Sequence, residues 1–524
     1  MRLRGRHAVL SKTILLLAAL VAVGSAYPSP AGAQAGAKPD GRTSMKIRIE
    51  LPRQRFLAKE AMQARVSVVN DGAQPIEVPD PKANVNWQPT YFVKGPAFPN
   101  GQVFSFRSAV YGSPGSDASG RTAMTVTIAP GHTHTVQLPL EELVTLAKPG
   151  EYLLAAALEW GNLKARSDPV SFTIEAPAFR SLQLVTAPSL QRAFPIRVFG
   201  LVGDSDPRVY LALFTADQNT GQVTLKSLSN FVQSAPGATS VFGPWMSFEG
   251  VGTPAPRAGW QAGATLGMAG FGEKGVTLAL PTAPRVVLPA LMARSGDTDV
   301  FALEDASNRL SMLRFPKGGA PSVLWTQALP GKVLAATAAL GTQQSGEGHV
   351  AVLISARADG LSATLVATGQ GNAGPKIRPV DIPGVQALTG SQPAARVLAS
   401  GAVQASLLVT QPSQGSAAPR AAVVDLTWPA DANAHGQASV NATAVQLAQP
   451  PRGAATGYPH ASGAKDRRDW VLVFQNGEVA SSASATQRRL KGTAVEPLQL
   501  FLGTQGTYLL SLSEERLPSF EPLF

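Results

Sequence analysis

Cysteine is absent from all 524 residues. That excludes disulfides, thiolate metal sites, c-type haem attachment and a cysteine-linked lipid anchor. Charged residues make up only 15%, aromatic residues 6%, and there are six histidines. The catalytic signatures that spacing can reveal are missing too: there is no G-x-S-x-G elbow, no H-E-x-x-H pair and no P-loop. Beyond the N-terminus no segment combines the length and the freedom from charge of a membrane-spanning helix. A chain this long can bury enough apolar surface to fold without disulfides, and it divides into two or more domains.

What is present is apolar and turn-rich: 44% hydrophobic residues, 50 glycines and 42 prolines. Many short strands joined by turns suit that mix better than a helical bundle. The N-terminus carries Arg2, Arg4, Arg6 and Lys12, then the twelve-residue apolar run TILLLAALVAVG, then Ala31-Gly32-Ala33. A charged start, a run too short to span a bilayer and an A-x-A site predict a cleaved secretory signal peptide over 1–33. The expected location is periplasmic or secreted, with no transmembrane anchor after cleavage. An exported chain without disulfides points to a bacterial source. Cleavage removes four basic and no acidic residues, so the formal charge falls from +11 to +7. The remaining charge is dispersed, which argues against a nucleic-acid partner.

Residues 34–43 read as a flexible leader. From 44 to 177 strand-like segments alternate apolar and polar residues, including KIRIEL, HTHTVQLPL and EYLLAAALEW. In ARVSVVNDGAQPIEV (64–78) the turn Asn70-Asp71-Gly72 predicts a hairpin. About eight strands over this length suggest a two-sheet sandwich. The stretch 128–152, I-A-P-G followed by V-Q-L-P-L and K-P-G-E-Y, resembles immunoglobulin-like domains of secreted bacterial proteins. That resemblance implies a tyrosine-corner role for Tyr152, and it speaks to fold alone.

From 179 to 524 the rhythm lengthens. Glycines 203, 250, 296, 341, 401, 463 and 503 each follow a small-residue strand and precede a stronger apolar one, at a mean interval of about 50 residues. Three or four strands per unit at that period predict a β-propeller, with seven blades. The resemblance is to propellers of the WD40/YVTN-like kind, at the level of fold. The segment RSLQLVTAP (180–188) has no unit of its own, and pairing with the final strands would let it close the ring. The expected class is thus all-β, a sandwich followed by a propeller.

Candidate sites are sparse. Asp204 and Asp206 in GDSD, and Asp297 and Asp299 in GDTD, are weak calcium candidates without the third acid and glycine of a calcium loop. Both stretches read as equivalent blade-top turns. His132 and His134 share a strand face and amount to half a metal site, while His349, His435 and His460 are solitary. Ser116–Thr122 only approximates a sialidase Asp-box, with the wrong spacing. No metal and no cofactor is expected.

Lys465, Arg467, Arg468 and Trp470, with Arg488 and Arg489 some 20 residues later, form the best binding candidate. Such groups take a protein or an acidic glycan through charge-assisted bonds and stacking. The favoured function is a non-enzymatic, exported binding or complex-assembly protein using a propeller face. A glycan-active hydrolase or lyase at the propeller mouth, and a subunit of a membrane-associated envelope complex, are the alternatives.

Overall fold

The computed structural model describes residues 44–79, 90–105, 125–140, 148–160, 162–185, 196–216, 223–243, 257–271, 273–288, 297–304, 308–340, 350–368, 375–388, 390–398, 400–411, 420–430, 438–446, 451–457, 469–474, 478–482, 484–489, 495–503, 506–513 and 515–522. The signal-peptide segment 1–33, the leader 34–43, Ser116–Thr122, His349, His435 and His460 lie outside them. The protein is all-β and divides into two compact units, Met1–Ala176 and Pro177–Phe524.

In the first unit one sheet has the order Met45–Glu50, Gln63–Asn70, Thr133–Pro139. A second runs Arg55–Leu57, Val170–Glu175, Gly150–Trp160, Thr90–Gly95, Phe98–Ser105, with Leu163–Arg166 also on Gly150–Trp160. Ile47, Val66 and Val68 from the first sheet share one core with Tyr91, Leu154 and Phe172 from the second. Alternation does the work here: Met45–Glu50 reads MKIRIE, and every second side chain is buried. The Tyr152 hydroxyl donates to the Lys148 carbonyl at 2.8 Å.

The expected hairpin around Asn70-Asp71-Gly72 does not form. Gln63–Asn70 pairs with Met45–Glu50 and Thr133–Pro139, whereas Ile76–Pro79 pairs with Thr125–Ile128. The cause is Asn70, which is buried. Its side-chain amide donates to the carbonyls of Gln74 and Ile128, each at 2.8 Å, while its oxygen accepts from the Gly72 amide at 3.0 Å. The side chain therefore steers the turn toward the strand that ends at Ile128.

Among its described residues the second unit is a succession of seven antiparallel meanders, over 179–232, 240–279, 284–328, 333–383, 394–446, 451–489 and 495–522. The first six have four strands and the last has three. The fourth and fifth also join through a parallel pairing of Ala339 with Ala395 and Leu340 with Arg396. Apolar side chains fill layers between successive meanders. Phe199 and Trp260 share the layer between the first two, Met268 and Val300 the next, and Leu303 and Leu353 the one after. Leu365 and Leu407, Leu408 and Leu472, and Val473 and Leu509 continue the series.

Strands between two such layers are apolar on both faces, so they lose the alternation seen in the first unit. All seven residues of Thr298–Glu304 are buried. Close approach sets some residue choices: Trp260 lies opposite Gly267, where an added Cβ would meet its ring at 2.2 Å.

Two expectations need correction. Phe179–Val185 does not complete the last meander, because it pairs antiparallel with Ile196–Val202 as the first strand of the first meander. Leu182, Leu184 and Val185 give that segment a buried apolar set of its own. It nevertheless lies beside the chain's end. Its Phe179 amide donates to the Arg516 carbonyl at 2.7 Å, and the rings of Phe214 and Phe520 are 4.6 Å apart. This shift by one strand also breaks the equivalence of the two aspartate stretches. Asp204 and Asp206 lie between the second and third strands of their meander, whereas Asp297 and Asp299 lie where the first gives way to the second.

Candidate functional site

The fourth meander does not hand over directly to the fifth. After Lys376–Pro383 the chain turns at Gly384 and again at Gly390, both in the left-handed region at φ 71° and 72°. Between the turns Gln386 and Ala387 pair with Thr410 and Val409 of the fifth meander. After them Ser391 and Gln392 pair in parallel with Ala454 and Ala455 of the sixth. The Thr456 hydroxyl fixes this strap, donating to the Ser406 carbonyl at 2.8 Å and lying 3.2 Å from that of Gln392.

The strap covers one side of a cavity of about 600 Å³. Its apolar wall includes Leu334, Ala336, Ile354, Leu361 and Leu407. Its polar lining comes from Arg357, Gln386, Ser391 and Gln392, and the described lining residues include no carboxylate, histidine, lysine or tyrosine. Arg357 is already balanced, since it pairs with Asp381 and lies 4.0 Å from Asp359. The cavity therefore offers an apolar body and neutral amide and hydroxyl groups, the make-up of a small-ligand site of ordinary volume. Nothing in residue spacing marks this place beyond the two glycines that bracket the strap.

The aspartate candidates have other work. Asp299 is almost fully buried, and both its oxygens accept from Arg314, Oδ1 from Nε and Oδ2 from Nη2, each at 2.8 Å. This bond holds the Arg314 pKa above its ordinary value. Asp297 Oδ1 accepts from the Lys317 amide at 3.0 Å. Asp206 takes both Nε and Nη2 of Arg208, at 3.1 and 2.7 Å, and Asp204 lies 3.4 Å from Arg180. Among the described residues no group of three or more histidine, aspartate or glutamate side chains could hold a metal ion. His132 is exposed with Nδ1 3.1 Å from the Pro130 carbonyl, and His134 lies opposite Val68.

Trp470 lies on a different strand from Arg488 and Arg489. Lys465, Arg467 and Arg468 lie outside the described residues. Trp470 is half-buried in Asp469–Phe474, where the neighbouring Asp469 is buried and accepts from the Ser482 hydroxyl at 3.2 Å. Arg488 pairs with Val479, which pairs in turn with Val473, three residues along from Trp470. Arg489 pairs with Glu478, further from Trp470 again. The register thus places the strand Glu478–Ser481 between the arginines and the tryptophan, with Arg488 offset by three residues along the strand direction.

No family model and no curated protein matches the sequence. Among solved structures, a protein from Lactobacillus plantarum is 11% identical, with a TM-score of 0.32 over 65% of this chain and 91% of that one. The sporulation control protein Spo0M from Bacillus subtilis is 12% identical, with a TM-score of 0.17 over 45% of this chain and 90% of that one. A β-glucosidase from Erythrobacter marinus is 15% identical, with a TM-score of 0.16 over 25% of this chain and only 16% of the glucosidase. Likeness at this level fixes neither a family nor an activity for this chain.

Proposed function

We propose that this chain is a non-enzymatic, exported binding or assembly protein: an immunoglobulin-like sandwich followed by a seven-bladed β-propeller that holds a ligand beside its hub. Two features support the ring. The first strands of successive meanders neighbour one another around most of the series, and Phe179–Val185 sits beside both Ser240–Phe242 and Val495–Gly503. Each meander also buries its apolar face against the next, which is how blades pack. Export rests on the charged start, apolar run and A-x-A site of residues 1–33.

One observation carries the binding reading: the cavity beside the strap has apolar walls, amide and hydroxyl groups and one charged side chain, Arg357, already paired with Asp381, and its described lining residues include no carboxylate, histidine, lysine or tyrosine. Proton transfer needs a titratable group at the reacting atoms. Holding a neutral amphiphile needs only apolar surface and a few hydrogen-bonding groups. The ligand class is therefore an uncharged molecule with an aliphatic body and one hydroxyl or amide.

The test pairs binding with turnover. The mature chain is loaded with an environment-sensitive apolar dye, which is then displaced by decanol or decanamide while products are assayed in the same samples. Saturable displacement, weakened at least tenfold in Ala336→Phe, with no product, is the expected result. Turnover of the ligand that a single substitution abolishes would overturn the reading.

A further inference from the structure

One irregularity recurs among the first strands of the meanders. The pairing steps from Phe179 to Ser181, from Pro284 to Val286, from Val333 to Ala335 and from Pro451 to Gly453, while each neighbouring strand advances by a single residue. In all four the second residue of the strand is therefore a bulge. Those residues are Arg180, Arg285, Leu334 and Arg452. Ser240–Phe242 and Ala394–Val397 pair without such a step. A bulge re-aims a side chain, and bulges gather beside active sites. The same position thus holds arginine in three meanders and leucine in the fourth, and the leucine is the one that lines the cavity.

Arginine suits this position. Arg180 Nη1 donates to the Gly203 carbonyl at 3.3 Å, and its Nε lies 3.4 Å from Asp204. Arg285 Nη2 donates to the carbonyl of Val333, the residue before Leu334. Leu334 is instead 39% exposed, a large apolar side chain open to the cavity, whose lining also includes Val286, Ala336 and Leu361. Since the bulge accepts arginine elsewhere, the leucine is best explained by what enters the cavity. A guanidinium there would give a carboxylate charge-assisted hydrogen bonds, whereas a leucine gives an aliphatic chain apolar contact and leaves a carboxylate to shed water without compensation. Arg357 does not make up the loss, because it is paired with Asp381. Discrimination is the difference between the two affinities. We propose that Leu334 is the specificity-determining residue of the cavity, admitting uncharged aliphatic ligands and rejecting carboxylates of the same chain length. The proposal rests on the binding reading above and adds a selector to it.

Displacement of the apolar dye by decanol and by decanoate, at neutral pH, is measured on the full mature chain. The readout is the affinity for decanoate divided by that for decanol. The parent should prefer decanol by about tenfold or more, and Leu334→Arg and Leu334→Lys should each raise the ratio by at least about tenfold. Leu334→Met keeps the apolar surface, and Val440→Arg adds the same charge on an exposed strand of the fifth meander. Both should leave the ratio within about twofold of the parent. Circular dichroism and melting temperature check the fold of each variant. Saturable decanol binding with an unmoved ratio in both cationic variants, or an equal rise in Val440→Arg, would overturn the selector and leave the cavity reading standing. Misfolding of both cationic variants would also overturn it, since the fold itself would then require the leucine. Failure of either ligand to displace dye from the parent would remove the cavity reading and the selector together.

Discussion

In the first unit the strand Met45–Glu50 buries alternate side chains, whereas in the second the strand Thr298–Glu304 buries all seven. The first unit gathers its apolar residues into one core between two sheets, with solvent on the outer faces. The second spreads them over a series of layers, each shared by neighbouring meanders. The difference lies in how many faces of a strand are covered. A strand covered on one face tolerates polar residues at every second position, and a strand covered on both tolerates few anywhere.

The comparison breaks most sharply at Phe301. It is fully buried at the centre of Thr298–Glu304, and Phe301→Ala should cost about 3–5 kcal/mol in equilibrium urea unfolding. Arg48→Ala, on the exposed face of Met45–Glu50, should stay within about 0.5 kcal/mol. Equal losses at the two sites would remove the distinction between one-sided and two-sided burial.

A smaller effect separates the aspartates. Asp299→Ala breaks a two-pronged bond to Arg314 and should cost roughly 1.5–3 kcal/mol, toward the lower figure because the Arg314 side chain is 45% exposed. Asp206→Ala, in an exposed pair with Arg208, should cost less than about 1 kcal/mol. Added calcium should shift the melting temperature of neither the parent nor the variants. A shift that disappears in Asp299→Ala would restore the metal reading.

The smallest effect is in pH. The side-chain bond from Lys46, reinforced by one from Ser44, holds the Asp71 carboxyl below its ordinary value of 3.8. A lowered folded-state pKa stabilises the fold above 3.8, and that contribution fades as pH falls from there through the folded value. Lys46→Ala should therefore lower the stability of the first unit slightly at neutral pH and leave it unchanged at pH values below the folded Asp71 value, so that its acid limb becomes flatter. An unaltered acid limb would show that the pair does nothing for folding.

Much of this contrast was legible in the residues. KIRIEL and HTHTVQLPL alternate, and both became one-sided strands. DVFALED and HVAVLISAR run apolar without alternating, and both became strands buried on two faces. Pairing partners were harder to read. Asn70-Asp71-Gly72 has the composition of a hairpin turn, yet the buried Asn70 amide spends its bonds on Gln74 and Ile128. The assignment of 180–188 to the last meander went astray because local sequence marks strands, not the strand each will choose. The cavity was invisible for a related reason: the strap, the fourth meander and the fifth each supply part of it, and no spacing along the chain records that meeting.

The proposed ring is tested most directly where the last meander meets the first, at the rings of Phe214 and Phe520, whose centroids lie 4.6 Å apart. Unfolding free energies of Phe214→Ala, Phe520→Ala and the double variant form a cycle that isolates their contact. Closure predicts a coupling of about 0.5–1.5 kcal/mol, as for an aromatic pair in contact. Strictly additive losses would mean that the last meander does not rest on the first, and that the ring is open.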